Sequence, residues 1–119
     1  MLSGIDHVQL AAPPGCEAEA RRFYGALLGL REVAKPAALA GRGGVWFACG
    51  SQGVHVGVEQ GFSPARKAHP AFHVRDYDAL TRRLRAAEVE VLDDRSLPDV
   101  RRCYVHDPWG NRLELVAQD

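Results

Sequence analysis

The alternation of apolar and polar residues along the first half of the chain predicts one helix among several short strands. Residues 5–10 are predicted to form a strand that prolines and a glycine end, and residues 17–28 change to a helical period. Gly29 follows where a left-handed residue would close that helix. The apolar stripe of the helix is Ala20, Phe23, Tyr24, Leu27 and Leu28, and strands are predicted near residues 30–34, 44–49 and 53–59.

The second half of the chain repeats this order of elements. Residues 71–74 alternate like a strand, and Asp76 is placed to cap the N-terminus of a second helix. The apolar stripe of that helix is Leu80, Leu84 and Ala87, and strands are predicted near residues 89–92, 101–106 and 111–117. The sequence therefore predicts a single α+β domain of two βαβββ modules, at about residues 4–59 and 70–117, with a linker at 60–69.

One helix can cover only one face of a four-stranded sheet, so the other face of each module must meet a second sheet, a partner chain or a ligand. Alternate residues of a strand point to opposite faces. Residues of metal-binding type occupy the face away from the helix on the first and last strands of both modules. They are His7, His55, His73 and Glu114.

Length and charge narrow the classes of protein that this chain can represent. Its 119 residues suffice for one ordinary domain and exclude a cofactor domain with a separate substrate domain. Its 15 lysines and arginines balance 15 acids, so there is no surplus positive charge to hold a nucleic acid or an anionic membrane. We expect neither as a partner.

The cysteines and the N-terminus bear on the compartment. Cys16, Cys49 and Cys103 are widely spaced and include no C-x-x-C pair, which is typical of reduced thiols in the cytoplasm. The first residues do not follow the pattern of a signal peptide, and no apolar stretch is long enough to span a membrane. We therefore expect a cytoplasmic protein.

Three stretches of the chain resemble the vicinal oxygen chelate superfamily, which includes glyoxalases, extradiol dioxygenases, fosfomycin-resistance enzymes and bleomycin-binding proteins. They are IDHVQL at 5–10, FYGALLGL at 23–30 and DPWGNRLEL at 107–115. The resemblance implies a glyoxalase/dioxygenase-like fold in which two βαβββ modules form a concave mixed sheet. It also implies metal ligands on the first and last strand of each module, here His7, His55, His73 and Glu114.

The sequence departs from the superfamily's isomerases at His55, where members with four protein ligands usually carry a carboxylate. His7, His73 and Glu114 alone would form a 2-His-1-carboxylate face suited to iron(II) or manganese. With His55 added, three imidazoles and one carboxylate could hold zinc, nickel, iron or copper. A divalent transition metal (Zn, Ni, Fe or Mn) is therefore the expected cofactor, and its identity stays open.

Further residues are candidates for contact with a substrate. Tyr104 and His106 share one face of the penultimate strand, and Tyr104 could donate a hydrogen bond to a substrate oxygen. Trp46 alternates with apolar neighbours and could face either the helix or the ligand side. Gln9 lies in the polar phase of the first strand. His69, in the linker, is expected to be a solvent-exposed residue.

Together with the resemblance, these residues predict a metalloenzyme of glyoxalase or dioxygenase type. It would act on a small oxygen-chelating substrate by lyase, isomerase or dioxygenase chemistry, and an isomerase base would be Glu59, His106 or a displaced Glu114. The alternative is a metal-free protein that binds a flat small molecule, as the bleomycin-binding relatives do. Because relatives commonly pair their chains, we expect a homodimer.

Overall fold

Each half of the chain folds as a strand, a helix and three further strands, in a computed structural model that describes residues 1–118. The boundary between the two units falls between Ser63 and Pro64, inside the segment expected to be a linker. The strands of the first unit are β1 (His7–Ala12), β2 (Arg31–Val33), β3 (Val45–Cys49) and β4 (Gln52–Val58). Those of the second unit are β5 (Ala71–Val74), β6 (Leu92–Asp94), β7 (Arg102–His106) and β8 (Arg112–Ala117).

The two sheets have the same strand order and the same strand directions. The first is ordered β1-β4-β3-β2 and the second β5-β8-β7-β6. In each sheet the first strand of the unit is parallel to the last, and the other neighbours are antiparallel. The α+β class and the two βαβββ modules predicted from the sequence are confirmed.

The helix of the first unit is only partly α-helical. α1 (Glu17–Ala20) continues into a π-helical segment, Arg21–Leu27, after which the N–H of Leu28 donates to the carbonyl of Phe23 at 2.9 Å. The predicted helix is confirmed in position, but its π-helical part was not predicted, because an apolar stripe spaced by three and four residues does not distinguish an α-helix from a wider turn. Gly29 follows with φ +81°, in the left-handed conformation expected of it.

The helix of the second unit, α2 (Tyr77–Ala86), begins differently from the prediction. Asp76 precedes it in the left-handed region, with φ +56°, and its side chain makes no capping hydrogen bond. The prediction that the Asp76 side chain caps this helix is therefore wrong. The buried residues of α2 are Tyr77, Thr81 and Leu84. Of the predicted apolar stripe, Leu84 is buried and Ala87 is exposed. The apolar surface that α2 buries comes in part from the aromatic side chain of Tyr77, which the predicted stripe did not include.

Alternation along the strands separates a core face from a second face in each unit. In the first unit Val45, Phe47, Val54 and Val56 are buried, and Phe47 lies 6.0 Å from the ring of Tyr24 in the helix. In the second unit the buried strand residues include Val74, Cys103, Val105, Leu113 and Leu115. The intervening residues of β3, β4, β7 and β8 lie on the opposite faces, where the candidate site residues are found.

The connection between β2 and β3 is fastened to the start of the helix. It contains a short 3₁₀ turn, Ala37–Leu39. The N–H of Gly44 donates to Oε2 of Glu17 at 2.7 Å, and Nζ of Lys35 donates to the carbonyls of Arg42 and Gly44. Gly44 has φ +97°, and a Cβ there would lie 2.1 Å from the carbonyl oxygen of Val56. Only glycine fits at that position.

Within residues 1–118, every helix is too short or too polar to span a membrane.

Candidate functional site

The imidazole of His55 in the first unit is stacked between two aromatic rings. His55 lies on β4, between β1 and β3, and is buried. Trp46 on β3 lies flat against it, with ring centroids 3.8 Å apart, and His7 on β1 stacks on it at 4.3 Å. Trp46 therefore faces away from the helix, which decides between the two orientations that the sequence allowed.

Gly53 leaves room for this stack. A Cβ there would lie 3.0 Å from Nε2 of His55 and 3.2 Å from Cβ of His7. Burial, and then the neighbouring His7, lower the pKa of His55, which favours the neutral imidazole that binds metals. Nδ1 of His7 lies 2.8 Å from the carboxylate of Asp6, an arrangement in which the carboxylate orients the ring and leaves Nε2 for a ligand.

His69 and Glu114 form a second pair, in the second unit. Nε2 of His69 lies 2.9 Å from Oε1 of Glu114. Nδ1 of His69 lies 2.8 Å from the carbonyl oxygen of Lys67. The carbonyl oxygen of Lys67 and the carboxylate of Glu114 can only accept, so Nδ1 is placed to donate to Lys67 and Nε2 to Glu114.

Arg102 binds the other oxygen of Glu114. Its Nη1 donates to Oε2 at 3.1 Å, and its Nη2 donates to Oγ of Ser96 and lies 3.1 Å from the carboxylate of Asp94. Burial alone would raise the pKa of the Glu114 carboxyl, but the hydrogen bonds from His69 and Arg102 outweigh burial and lower that pKa. Glu114 is therefore an ionised carboxylate with Oε1 on the side of His69.

Tyr104 lies beside this pair on the same face of the second sheet. Its ring and that of His69 are nearly perpendicular, with centroids 5.2 Å apart. The guanidinium of Arg112 lies over the Tyr104 ring at 4.0 Å. His106 is exposed and pairs with Arg112 in the register of β7 and β8. In the first unit Gln9 is exposed too, and its amide lies against Gly57. Substrate contact by Tyr104, His106, Trp46 and Gln9 stays a prediction.

The strand register identifies equivalent residues in the two units. In the parallel pairs, Gln9 lies opposite His55, and Ala71 lies opposite Glu114. With His55 and Glu114 as equivalents, the first strands are offset by 71 − 9 = 62 residues. The equivalent of His7 is then residue 7 + 62 = 69. His69 therefore occupies in the second unit the position that His7 occupies in the first.

His73, the ligand expected from the sequence, lies further along β5. It is exposed and pairs with Val116. His69 and His73 lie two residues to either side of Ala71 and in the same phase, so alternation alone does not choose between them. His69 contacts Glu114, and the expectation that it is a solvent residue is wrong. Ligation by His73 stays a prediction.

The candidate donors lie in pairs, one pair in each unit. Within the described residues 1–118, no three or more His, Cys, Asp and Glu side chains gather so that they could hold a metal ion. The His69 and Glu114 pair nevertheless fits a cation, since an imidazole nitrogen and a carboxylate oxygen, both common metal ligands, lie 2.9 Å apart, and a cation would take the place of the proton between them. Two such ligands at about 2.1 Å from one ion would lie roughly 3.0–3.4 Å apart, so small movements suffice.

Two βαβββ units with histidines and a glutamate on their first and last strands are the architecture of the vicinal oxygen chelate superfamily. The chain belongs to the family of the glyoxalase-like domain, whose model matches residues 14–116. The resemblance seen in the sequence is thereby confirmed. No match was found among curated proteins.

Solved structures extend this similarity over the chain. A glyoxalase family protein from Bacillus anthracis is 53% identical with a TM-score of 0.95, covering 100% of this chain and 98% of that one. A lactoylglutathione lyase from Agrobacterium tumefaciens is 27% identical with a TM-score of 0.72, covering 98% and 94%. A fosfomycin resistance protein from Listeria monocytogenes is 20% identical with a TM-score of 0.76, covering 100% and 96%. At that identity the last likeness concerns the fold alone.

Proposed function

We propose that this protein is a divalent-metal-dependent enzyme that acts on a small substrate with two neighbouring oxygen atoms. Each unit supplies one pair of ligands: His7 and His55 from the first, His69 and Glu114 from the second. This set keeps the three imidazoles and one carboxylate expected from the sequence and places His69 where His73 was expected. Zinc, nickel, iron and manganese are the candidate ions.

The observation that carries this proposal is the contact between His69 and Glu114. A carbonyl holds the proton on the far nitrogen of His69, and Arg102 occupies the far oxygen of Glu114. Nε2 of His69 and Oε1 of Glu114 therefore meet at 2.9 Å, in positions equivalent to His7 and His55, and a cation would replace the proton between them. Hydrogen-bond partners of this kind orient histidine and carboxylate ligands in metal sites.

The bound ion would act as a Lewis acid that stabilises negative charge on a substrate oxygen. The chain's own residues hold the ligands in place: Trp46 stacks on His55, the carbonyl of Lys67 orients His69, and Arg102 fixes Glu114. The phenol of Tyr104, whose ring lies beside His69, would donate a hydrogen bond to substrate. Because His55 is not a carboxylate, proton transfer falls to His106 or Glu59.

Lyase or isomerase chemistry is favoured by the similarity to a lactoylglutathione lyase at 27% identity. Ring-cleaving dioxygenation is the alternative that the same donor types permit. Formation of S-lactoylglutathione and uptake of oxygen with catechol, each measured with zinc, nickel, iron(II) and manganese, separate the two. Activity in neither assay with any of the four ions would refute both reactions.

Metal binding tests the proposal directly. Protein purified without a nickel column and stripped with chelator is expected to bind close to one equivalent of a divalent transition metal, and Glu114→Gln is expected to weaken that binding. Less than roughly a tenth of an equivalent, with no binding on titration, would refute the proposal and favour a metal-free binding protein.

Assembly and location belong to the same proposal. The protein acts as a homodimer, because the first and last strands in each sheet order are edge strands, β1 and β2 in one and β5 and β6 in the other. It acts in the cytoplasm, where Cys16, Cys49 and Cys103 stay as the free thiols seen here. A sedimentation mass of one chain at all concentrations would contradict the dimer.

A further inference from the structure

Arg112 presents a guanidinium beside the proposed ligand pair of the second unit. It lies on β8 in the same phase as Glu114, and Tyr104 lies opposite Glu114 in the register of β7 and β8. The guanidinium carbon is 4.0 Å from the centre of the Tyr104 ring, and that ring is 5.2 Å from the ring of His69. Arg112 thus contacts Tyr104, Tyr104 contacts His69, and His69 contacts Glu114, so these side chains form one continuous series of contacts.

The charge of Arg112 is not used by an ion pair. Within residues 1–118 its side chain makes no salt bridge and no side-chain hydrogen bond, and the ring of Tyr104 is its one aromatic contact. Hydrogen bonds with Ser96, and after them Arg102 and Arg112, lower the pKa of Asp94, whose carboxylate is bonded to Ser96 and paired with Arg102 and makes no salt bridge with Arg112. The donors of Arg112 are thus available to a ligand.

Arg102 differs in this respect. It pairs with two carboxylates, Asp94 and Glu114, each at 3.1 Å, so its charge is compensated inside the protein. One uncompensated guanidinium stacked on an aromatic ring matches a single planar carboxylate, which it can bind through two parallel hydrogen bonds. A phosphonate or phosphate dianion would call for a second uncompensated cation.

We infer that Arg112, stacked on Tyr104, binds a carboxylate group of the substrate next to its chelating oxygen pair. The substrate class is thus a small carboxylic acid whose oxygen pair reaches the metal while its carboxylate reaches Arg112. This inference rests on the proposed function for the role of the oxygen pair. The carboxylate subsite itself needs only the residues of the second unit.

Binding of simple anions to the metal-free protein tests the subsite without the metal. Sodium acetate is titrated while the backbone amide signals of residues 104 and 112 are followed by NMR. Saturable shifts are expected, with at least roughly tenfold weaker binding in Arg112→Met and partial binding in Arg112→Lys. Arg82→Met, on the exposed side of α2, is the matched control and is expected to bind like the wild type.

The outcomes separate the two proposals. Acetate binding that is equal in wild type and Arg112→Met, with both folded by circular dichroism, overturns the carboxylate subsite. Tighter binding of methylphosphonate than of acetate overturns the choice of carboxylate.

A second arm with zinc-loaded protein compares acetohydroxamate with succinic monohydroxamate, which adds a carboxylate to the same chelating group. A preference for the second that is lost in Arg112→Met supports the inference, and an equal preference in both proteins overturns it. Absence of zinc binding with intact acetate binding refutes the metal proposal and leaves the subsite standing.

Discussion

Nε2 of His69 and Oε1 of Glu114 lie 2.9 Å apart although 45 residues separate them in the chain. The contact depends on the parallel pairing of β5 with β8, which places Ala71 opposite Glu114 and so brings the chain just before β5 alongside it. A residue outside a strand thereby joins the face of the sheet that carries Glu114 and Tyr104.

Replacing His69 is expected to weaken metal binding more than replacing His73. His69→Ala removes a proposed ligand and should raise the dissociation constant for zinc at least roughly tenfold. His73→Ala, the matched control in the same strand phase, should change it less than about twofold because His73 is exposed and opposite Val116. Competition with a chromophoric chelator measures both, and a larger loss in His73→Ala would restore the ligand set read from the sequence.

Glu17→Gln is expected to destabilise the protein by about 1 kcal/mol at neutral pH, because it weakens a charge-assisted hydrogen bond from Gly44. The N–H of Gly44 lowers the pKa of Glu17 in the folded protein, so the unfolded chain binds more protons. The stabilisation is therefore complete above the ordinary glutamate pKa of about 4.3 and is lost as pH falls through the lower folded value.

Urea unfolding of wild type and Glu17→Gln across this pH range measures the difference. Glu19→Gln makes the same change of charge at a surface pair with Arg22 and should cost less than about 0.5 kcal/mol. A difference between wild type and Glu17→Gln that grows as pH falls would contradict the assignment.

Gly44→Ala is expected to cost about 3 kcal/mol or more in the free energy of unfolding. The added Cβ would meet the Val56 carbonyl oxygen at 2.1 Å, on a backbone with φ +97°. Gly41→Ala is the control in the same connection, where no atom lies within 4 Å of the new Cβ, and it should stay within about 0.5 kcal/mol of wild type. Equal midpoints of urea unfolding for the two variants would contradict the structure of this turn.

Glu88→Gly is expected to stabilise the protein by about 1 kcal/mol. Glu88 follows the last turn of α2 and has φ +62°. The N–H of Val89 donates to the carbonyl of Leu84 at 2.9 Å, and glycine is the preferred residue before such a hydrogen bond at a helix C-terminus. Glu90→Gly removes the same charge where φ is not positive, and it should lower the melting temperature. Calorimetry distinguishes the two, and a lower melting temperature for Glu88→Gly would refute the prediction.

Local chemistry made most of the fold predictable from the sequence. Alternation located every strand within a few residues, and the turn Asp107–Asn111 contains the proline and glycine that its geometry needs, with Gly110 at φ +94°. The N–H groups of Trp109 and Asn111 donate to the carboxylate of Asp107, and these hydrogen bonds could not be predicted from the positions of proline and glycine. The π-helical segment was missed because it depends on which carbonyl each N–H selects.

The candidate site was predictable only in part, since strand phase identifies a face and not a contact. Alternation along the strands predicted that His55 and Glu114 lie on the sheet faces away from the helices. It could not choose between His69 and His73, which have the same alternation. A signal existed in the sequence. Aligning His7 with His69 matches Leu10 with Phe72, whereas aligning His7 with His73 matches Leu10 with Asp76. Stacking of Trp46 on His55 and binding of Glu114 by Arg102 come from side-chain packing across strands, which no spacing along one strand encodes.

His55 and Glu114 hold corresponding places in duplicated halves, and in the proposed ligand set of three imidazoles and one carboxylate they are the two positions that set the charge offered to a cation. Glutamate at both would make the donor set doubly negative, histidine at both would make it neutral, and the natural chain lies between. Under this proposal, replacing His55 by glutamate or Glu114 by histidine is a route to retune the preferred ion, and with it the chemistry, while both sheets are retained.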